Sequence, residues 1–220
     1  KDSENYAIKY ADIVTQSFHP VKQITTGEGG AIITNNNRLH SKAKLLRNHG
    51  IIRGDSQNKP WLYSMNELGY NYRLPDINCA LGISQLKKIK IFIKKRRQVA
   101  EIYKKNLLLD CIKLPNEDKS VFHSYHLYPI LINFEKLKID KKSFFKKMIE
   151  QNINLQVHYI PIHLQNYYKK KYGFKKGDFE ISEKFYKNEV SLPIYYSLKK
   201  KDQLKVIYLI NKILKLSKFL

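Results

Sequence analysis

Lys22 has the setting most suggestive of chemistry. It follows the β-branched run Asp12-Ile13-Val14-Thr15-Gln16-Ser17 and the turn-like Phe18-His19-Pro20-Val21, and it precedes the glycine turn Gly27-Glu28-Gly29-Gly30. An amine held between a strand and a tight turn can be kept in a pocket, where it loses its proton and forms a Schiff base with a carbonyl group. The plain alternative is a surface lysine. Ser17, five residues earlier at the strand end, offers a hydroxyl where hydroxyls and backbone N–H groups often hold phosphate, although serine ends many strands. The glycine turn has neither the G-x-G-x-x-G spacing of a dinucleotide site nor the G-K-[ST] ending of a P-loop.

Two further clusters carry polar side chains at the ends of elements. Gly69-Tyr70-Asn71-Tyr72-Arg73 stands just before a long helical pattern. There Asn71 offers a neutral donor and Arg73 a rigid fork, both suited to an anion near a helix start. A helix-entry loop with Arg73 paired to Glu67 fits as well. Gln156-Val157-His158-Tyr159-Ile160-Pro161-Ile162-His163 closes a strand-like stretch, and its two histidines could line a pocket mouth. Neither Cys79 nor Cys111 has a partner at zinc-ligand spacing, so no metal is expected. Strand-end histidines satisfied by backbone carbonyls are the simpler reading.

The elements that must position these groups alternate between helix and strand. Strands are predicted at 12–17, at two short stretches within 23–34, at 124–132 and at 153–160. Helices are predicted over about 38–48 behind Asn35-Asn36-Asn37, over about 76–106 behind Pro75, and over 140–151 with Phe144, Phe145, Met148 and Ile149 inward. Two more are expected near 182–188 and 199–216, and 50–65 reads as loop. This is an α/β or α+β pattern with a boundary near 105–110.

The 220 residues are 43% hydrophobic and 12% aromatic, which excludes a disordered tail. No apolar run reaches the length of a membrane span, and two cysteines give no disulfide framework. The net charge of +22 raises the alternative of a lysine-rich nucleic-acid or anionic-surface binding module. Yet only six of the 41 basic residues are arginine, and the lysines spread along helices such as that carrying Lys87, Lys88, Lys90, Lys94 and Lys95. Solvated helix faces are the better reading, with no nucleic-acid and no membrane partner.

In order and distance, three blocks resemble the DegT/DnrJ/EryC1/StrS sugar aminotransferase family. They are Ser17-Phe18-His19-Pro20-Val21-Lys22 with its following Thr-Thr-Gly-Glu-Gly-Gly, Gly69-x-Asn71-x-Arg73 before the helix through Ala80-Leu81-Gly82, and Gln156-Val157-His158-Tyr159-x-Pro161. The resemblance covers nearly the whole chain. It implies an α/β, fold type I pyridoxal-phosphate transferase, with 1–75 as the remainder of the cofactor-binding large domain, 76–107 as a long connecting helix and 108–220 as the small α+β domain. It implies that Lys22 carries pyridoxal 5'-phosphate as a Schiff base, that Ser17 binds its phosphate and that Asn71 reaches the cofactor of a partner subunit. Arg73, Gln156, His158 and Tyr159 would then sit near substrate.

The implied reaction moves an amino group from L-glutamate to a nucleotide-linked 4-keto-6-deoxy sugar. In the branch it resembles most, that of pseudaminic acid biosynthesis, the sugar is UDP-linked. The implied enzyme is a cytoplasmic homodimer. Family members that dehydrate carry histidine where this chain has Lys22, so transamination is expected. The family's pyridinium-pairing Asp is not found before Ser17, and neither Asp2 nor Asp12 fits its motif. The chain is therefore expected to be a C-terminal fragment, inactive by itself.

Overall fold

The computed structural model describes residues 7–53, 59 and 61–219. Asp2 and positions 54–58 and 60 of the stretch expected as loop lie outside these. The chain divides into two compact units, Lys1–Lys90 and Ile91–Leu220.

In the first unit β1 (Val14–Ser17) pairs antiparallel with β2 (Gly30–Ile33), with Ser17 opposite Gly30. Only one of the two strands expected within 23–34 forms. Residues 23–29 remain a loop because their hydroxyls satisfy the backbone locally, an alternative to ladder bonds. Thr25 Oγ1 donates to the Phe18 carbonyl at 2.9 Å, and Thr26 Oγ1 donates to the Glu28 carbonyl at 2.7 Å. Helix α1 (Asn37–Arg47) is capped by Asn36, whose Oδ1 accepts from the N–H groups of Arg38 and Leu39. Strands β3 (Ile51–Arg53) and β4 (Tyr63–Met65) form a hairpin where loop was expected. At three residues each they are too short to show a periodicity. Helix α2 (Asp76–Leu86) follows Pro75, which tolerates a helix start because its missing donor would be unpaired there.

The long helix expected over 76–106 is two helices. The chain turns at Lys87 and Lys88 before α3 (Ile89–Asn106). No proline or glycine marks the break. The Lys88 N–H bonds the Gln85 carbonyl three residues back at 2.9 Å, closing α2 on a tightened last turn.

The second unit is built around α3, whose buried Phe92, Arg96, Val99, Ala100 and Tyr103 recur at helical spacing. After it come β5 (Ile112–Lys113), β6 (Tyr128–Ile132), α4 (Lys141–Ile149), α5 (Asn166–Tyr172), α6 (Glu180–Asn188), β7 (Glu189–Leu192) and α7 (Lys200–Phe219). The strands form one antiparallel sheet in the order β5-β6-β7. Tyr103, Tyr128, Ile130, Phe144, Met148, Val190, Ile210 and Leu214 make its dry core. Ile149, expected inward, is exposed, because α4 turns the Phe144–Met148 stripe to the core with Phe145 partly buried at its edge. In the stretch expected as a strand over 153–160, Ile153 and Leu155 do alternate inward, but pairing is a single bridge between Gln156 and Ser191.

Two charged groups tie the connecting loops to α3. Arg96 is buried, and its Nη1 donates to the carbonyls of Tyr125, His126 and Ile194 at 3.1, 3.2 and 2.8 Å. Arg97 grips Glu117 with both terminal nitrogens, at 2.5 and 3.3 Å, and stacks on Phe122. Glu117 also accepts from the His123 N–H at 2.8 Å and the Tyr125 hydroxyl at 3.0 Å. The Arg97 hydrogen bonds first, and the His123 amide next, lower its pKa to about 2.

Arg96→Met should therefore leave three inward carbonyls without their donor and cost about 3 kcal/mol of stability, read from urea denaturation. Glu117 has a depressed folded-state pKa, so its contribution is complete above the ordinary carboxylate range and is lost as the pH falls toward about 2. Glu117→Gln should flatten that acid limb in a melting-temperature profile and leave the slope above pH 6 unchanged.

Candidate active site

The lysine loop is organised by Phe18. Its N–H donates to the Gly29 carbonyl at 2.9 Å, and its own carbonyl accepts from the Thr26 N–H at 3.1 Å and from the Thr25 hydroxyl. The loop between is closed by a turn in which the Lys22 N–H bonds the His19 carbonyl at 3.0 Å. Ser17 is exposed at the end of β1, and its Oγ accepts from the His19 N–H at 3.3 Å, which leaves the hydroxyl's own proton for an anion. Lys22 is half-buried, and among the described residues no carboxylate or carbonyl engages its Nζ. A tethered hydroxyl and an unpaired amine on one hydrogen-bonded loop fit the phosphate and the aldehyde of pyridoxal phosphate by their chemistry.

The glycine turn after Lys22 is pinned from α2. Asn78 Nδ2 donates to the Thr26 carbonyl at 2.5 Å and reaches the Glu28 carbonyl at 3.4 Å. Gly29 has φ near +149°, and a Cβ there would lie 2.6 Å from Thr26 Oγ1 and 2.8 Å from Leu74 Cδ1. The turn thus requires glycine for both conformation and space. Asn78 is missing from the sequence reading, and the two threonines enter it only as members of the first block, because sequence patterns carry no information on such side-chain to backbone bonds.

The Gly69–Arg73 segment runs beside the end of α1. The Tyr70 N–H bonds the Leu46 carbonyl at 2.8 Å, the Tyr72 N–H bonds the Arg47 carbonyl at 3.0 Å, and Asn48 and Asn71 form a bridge. Arg73 does not pair with Glu67. Its Nη1 donates to Asn48 Oδ1 at 2.7 Å, while Glu67 forms an ion pair with Lys42. Glu67 faces α1, where Lys42 is the cation within reach. Asn71 is exposed, and among the described residues the remaining donors of the Arg73 fork carry no further protein bond.

In the second unit Gln156 is exposed and joined to Ser191 only through its backbone, and Tyr159 is 70% exposed. The two histidines are not satisfied by carbonyls. His158 Nδ1 lies 2.7 Å from Ser191 Oγ, and its N–H donates to Glu189 Oε2 at 2.9 Å. His163 Nε2 lies 2.9 Å from Glu183 Oε1, whose carboxyl is held below its usual range mainly by that contact. Both lie in a cleft of about 460 Å³ walled by Tyr159, Phe174, Phe179, Ser182 and Phe185. Glu189 and Ser191 escaped the sequence reading because polar residues two apart before Leu192-Pro193 do not announce a buried strand. No group of three His, Cys, Asp or Glu side chains is placed to hold a metal, and no helix is long and apolar enough to cross a membrane, among the described residues.

Structural comparison finds fold type I sugar aminotransferases. Helicobacter pylori PseC, an aminotransferase involved in the biosynthesis of pseudoaminic acid, matches with a TM-score of 0.84 and 32% identity, over 94% of this chain and 54% of that one. A putative sugar aminotransferase of Streptococcus pneumoniae, Spr1654, in its PLP form shares the fold at a TM-score of 0.84 and 24% identity, over 96% and 54% of the two chains.

In sequence, the UDP-4-amino-4,6-dideoxy-N-acetyl-beta-L-altrosamine transaminase of Campylobacter jejuni (serotype O:2) is 43% identical over 88% of this chain and 50% of its own length. The profile of the DegT/DnrJ/EryC1/StrS aminotransferase family matches residues 3–211, and the chain belongs to that family. Pyridoxal phosphate is the cofactor of its aminotransferases. The chain spans about half the length of the curated relatives it matches.

The Gly69 contact with α1 has a measurable consequence. A Cβ at Gly69 would sit 2.3 Å from the Gly50 nitrogen and 2.7 Å from the Leu46 carbonyl oxygen. Gly69→Ala should destabilise the first unit by about 2 kcal/mol and speed hydrogen exchange at the Tyr70 amide, both read on the purified chain.

Proposed function

We propose that the protein to which this chain belongs is a pyridoxal-phosphate-dependent aminotransferase moving an amino group from L-glutamate to a UDP-linked 4-keto-6-deoxy sugar. The observation that carries the reading is the Lys22 amine, which no carboxylate or carbonyl among the described residues engages, on a loop fixed at both ends and shared with the Ser17 hydroxyl. The likeness to the Campylobacter jejuni transaminase supports the choice of sugar.

When bound, pyridoxal phosphate would supply an aldehyde for Schiff-base formation and an electron sink for the charge left by a breaking C–H bond. Lys22 Nζ would hold that aldehyde. When not holding the aldehyde, the same amine would serve as general base and acid, taking up the substrate's α-proton at Nζ and giving it back. Ser17 would donate its hydroxyl to the phosphate. In a homodimer Asn71 would donate to the phosphate bound by the partner subunit. Arg73 would offer the unengaged part of its fork to substrate, and Gln156, His158 and Tyr159 would line the sugar-nucleotide side. The group pairing with the pyridine nitrogen is assigned to a part of the full-length protein beyond this sequence, so the chain alone would lack turnover. A cytoplasmic location completes the proposal.

In the full-length protein, Lys22→Ala should abolish visible cofactor absorbance that survives dialysis, prevent borohydride labelling and lower glutamate-dependent amination by at least about 10³-fold. Turnover at the wild-type rate would overturn the reading.

A further inference from the structure

The Glu189–Ser191–His158 chain lies in the second unit and is more closed than a surface network. Glu189 is fully buried and Ser191 nearly so. Both side chains extend from the same face of β7, two residues apart, toward the end of the 153–160 stretch. Each carboxylate oxygen has its own donor. Oε2 accepts the His158 backbone N–H at 2.9 Å, and Oε1 accepts the Ser191 hydroxyl at 2.5 Å. A serine has one hydroxyl proton, and here the carboxylate takes it. Ser191 Oγ can then only accept from the ring nitrogen 2.7 Å away.

We infer that Glu189 and Ser191 are positioning residues that lock His158 with its proton on Nδ1. The ring therefore presents an unprotonated Nε2 to the apolar-walled cleft it lines with Tyr159, Phe179 and Phe185. An acceptor in that position suits a neutral donor, a sugar hydroxyl or an amide N–H, and disfavours a bare phosphate oxygen. The choice of ligand group rests on the transaminase reading; the tautomer does not.

The direct test is long-range ¹H–¹⁵N correlation of the histidine rings in the ¹⁵N-labelled chain, recorded on the alkaline side of the His158 titration. The expected pattern is a protonated Nδ1 and a bare Nε2. Glu189→Gln is nearly isosteric, but an amide can accept on only one side. With its oxygen on the His158 N–H, its NH₂ faces Ser191, the hydroxyl turns to the ring, and the proton moves to Nε2. Ser191→Ala should also favour the Nε2–H form, the usual one for imidazole in water, and Ser191→Thr should restore the wild-type pattern.

A wild-type ring protonated on Nε2 would overturn the assignment whatever the variants do. So would Nδ1 protonation retained in both folded Glu189→Gln and Ser191→Ala. In the full-length enzyme Glu189→Gln should raise KM for the UDP-linked keto sugar about tenfold with KM for glutamate unchanged, and an equal effect on both would overturn the ligand role. The expected tautomer in a protein without transaminase activity would count against the function alone.

Discussion

The functional reading depends on the backbone of Phe18. That one residue receives the far side of the glycine turn through its N–H and two threonine donors through its carbonyl. The bonds convert the connection between β1 and β2 from a flexible excursion into a closed loop with Ser17 at its root and Lys22 within it. Without closure, a lysine side chain would lose about 2 kcal/mol of rotamer entropy on capture by a ligand, in addition to the ordering of the loop itself. With closure the backbone part of that cost is met on folding.

The two units solve the same problem, irregular chain that must hold still, by different means. In the first, local hydroxyls, Asn78 and close glycine contacts do the work, and little apolar surface is buried there. In the second, a dry core of aromatic and branched side chains is packed against a three-stranded sheet, and buried or partly buried polar groups then anchor the loops to it. Arg96 collects three carbonyls, Arg97 grips Glu117, and Tyr103 donates to the Pro193 carbonyl at 2.9 Å. Buried polar groups of this kind are costly unless satisfied, and their satisfaction defines one path for the segments around residues 117–126 and 193–194.

The lysine excess is also explained by placement. The lysines at 94, 95, 104 and 105 stand exposed on α3 opposite its buried stripe, and those at 169, 170 and 171 stand exposed on α5. On α3 they solvate the face opposite the buried stripe, whereas α5 is exposed on every side.

Much was legible in the order of residues alone. The strand before Ser17, the cap at Asn36, the apolar stripe of α4 through Phe144 and Met148, and the three motif blocks are local or periodic features, and local chemistry reports them directly. The sequence also carried the family, because the blocks stand at characteristic distances. Other features depended on contacts between distant positions. The break at Lys87–Lys88 lacks any helix-breaking residue. The partner of Arg73 is Asn48, not Glu67, because the Gly69–Arg73 segment lies along α1. Glu189 and Ser191 meet His158 only because β7 and residue 156 pair across more than thirty positions of chain. Which donors and acceptors face one another is decided by the packing that brings them within 3 Å, and no periodicity in the chain encodes that distance.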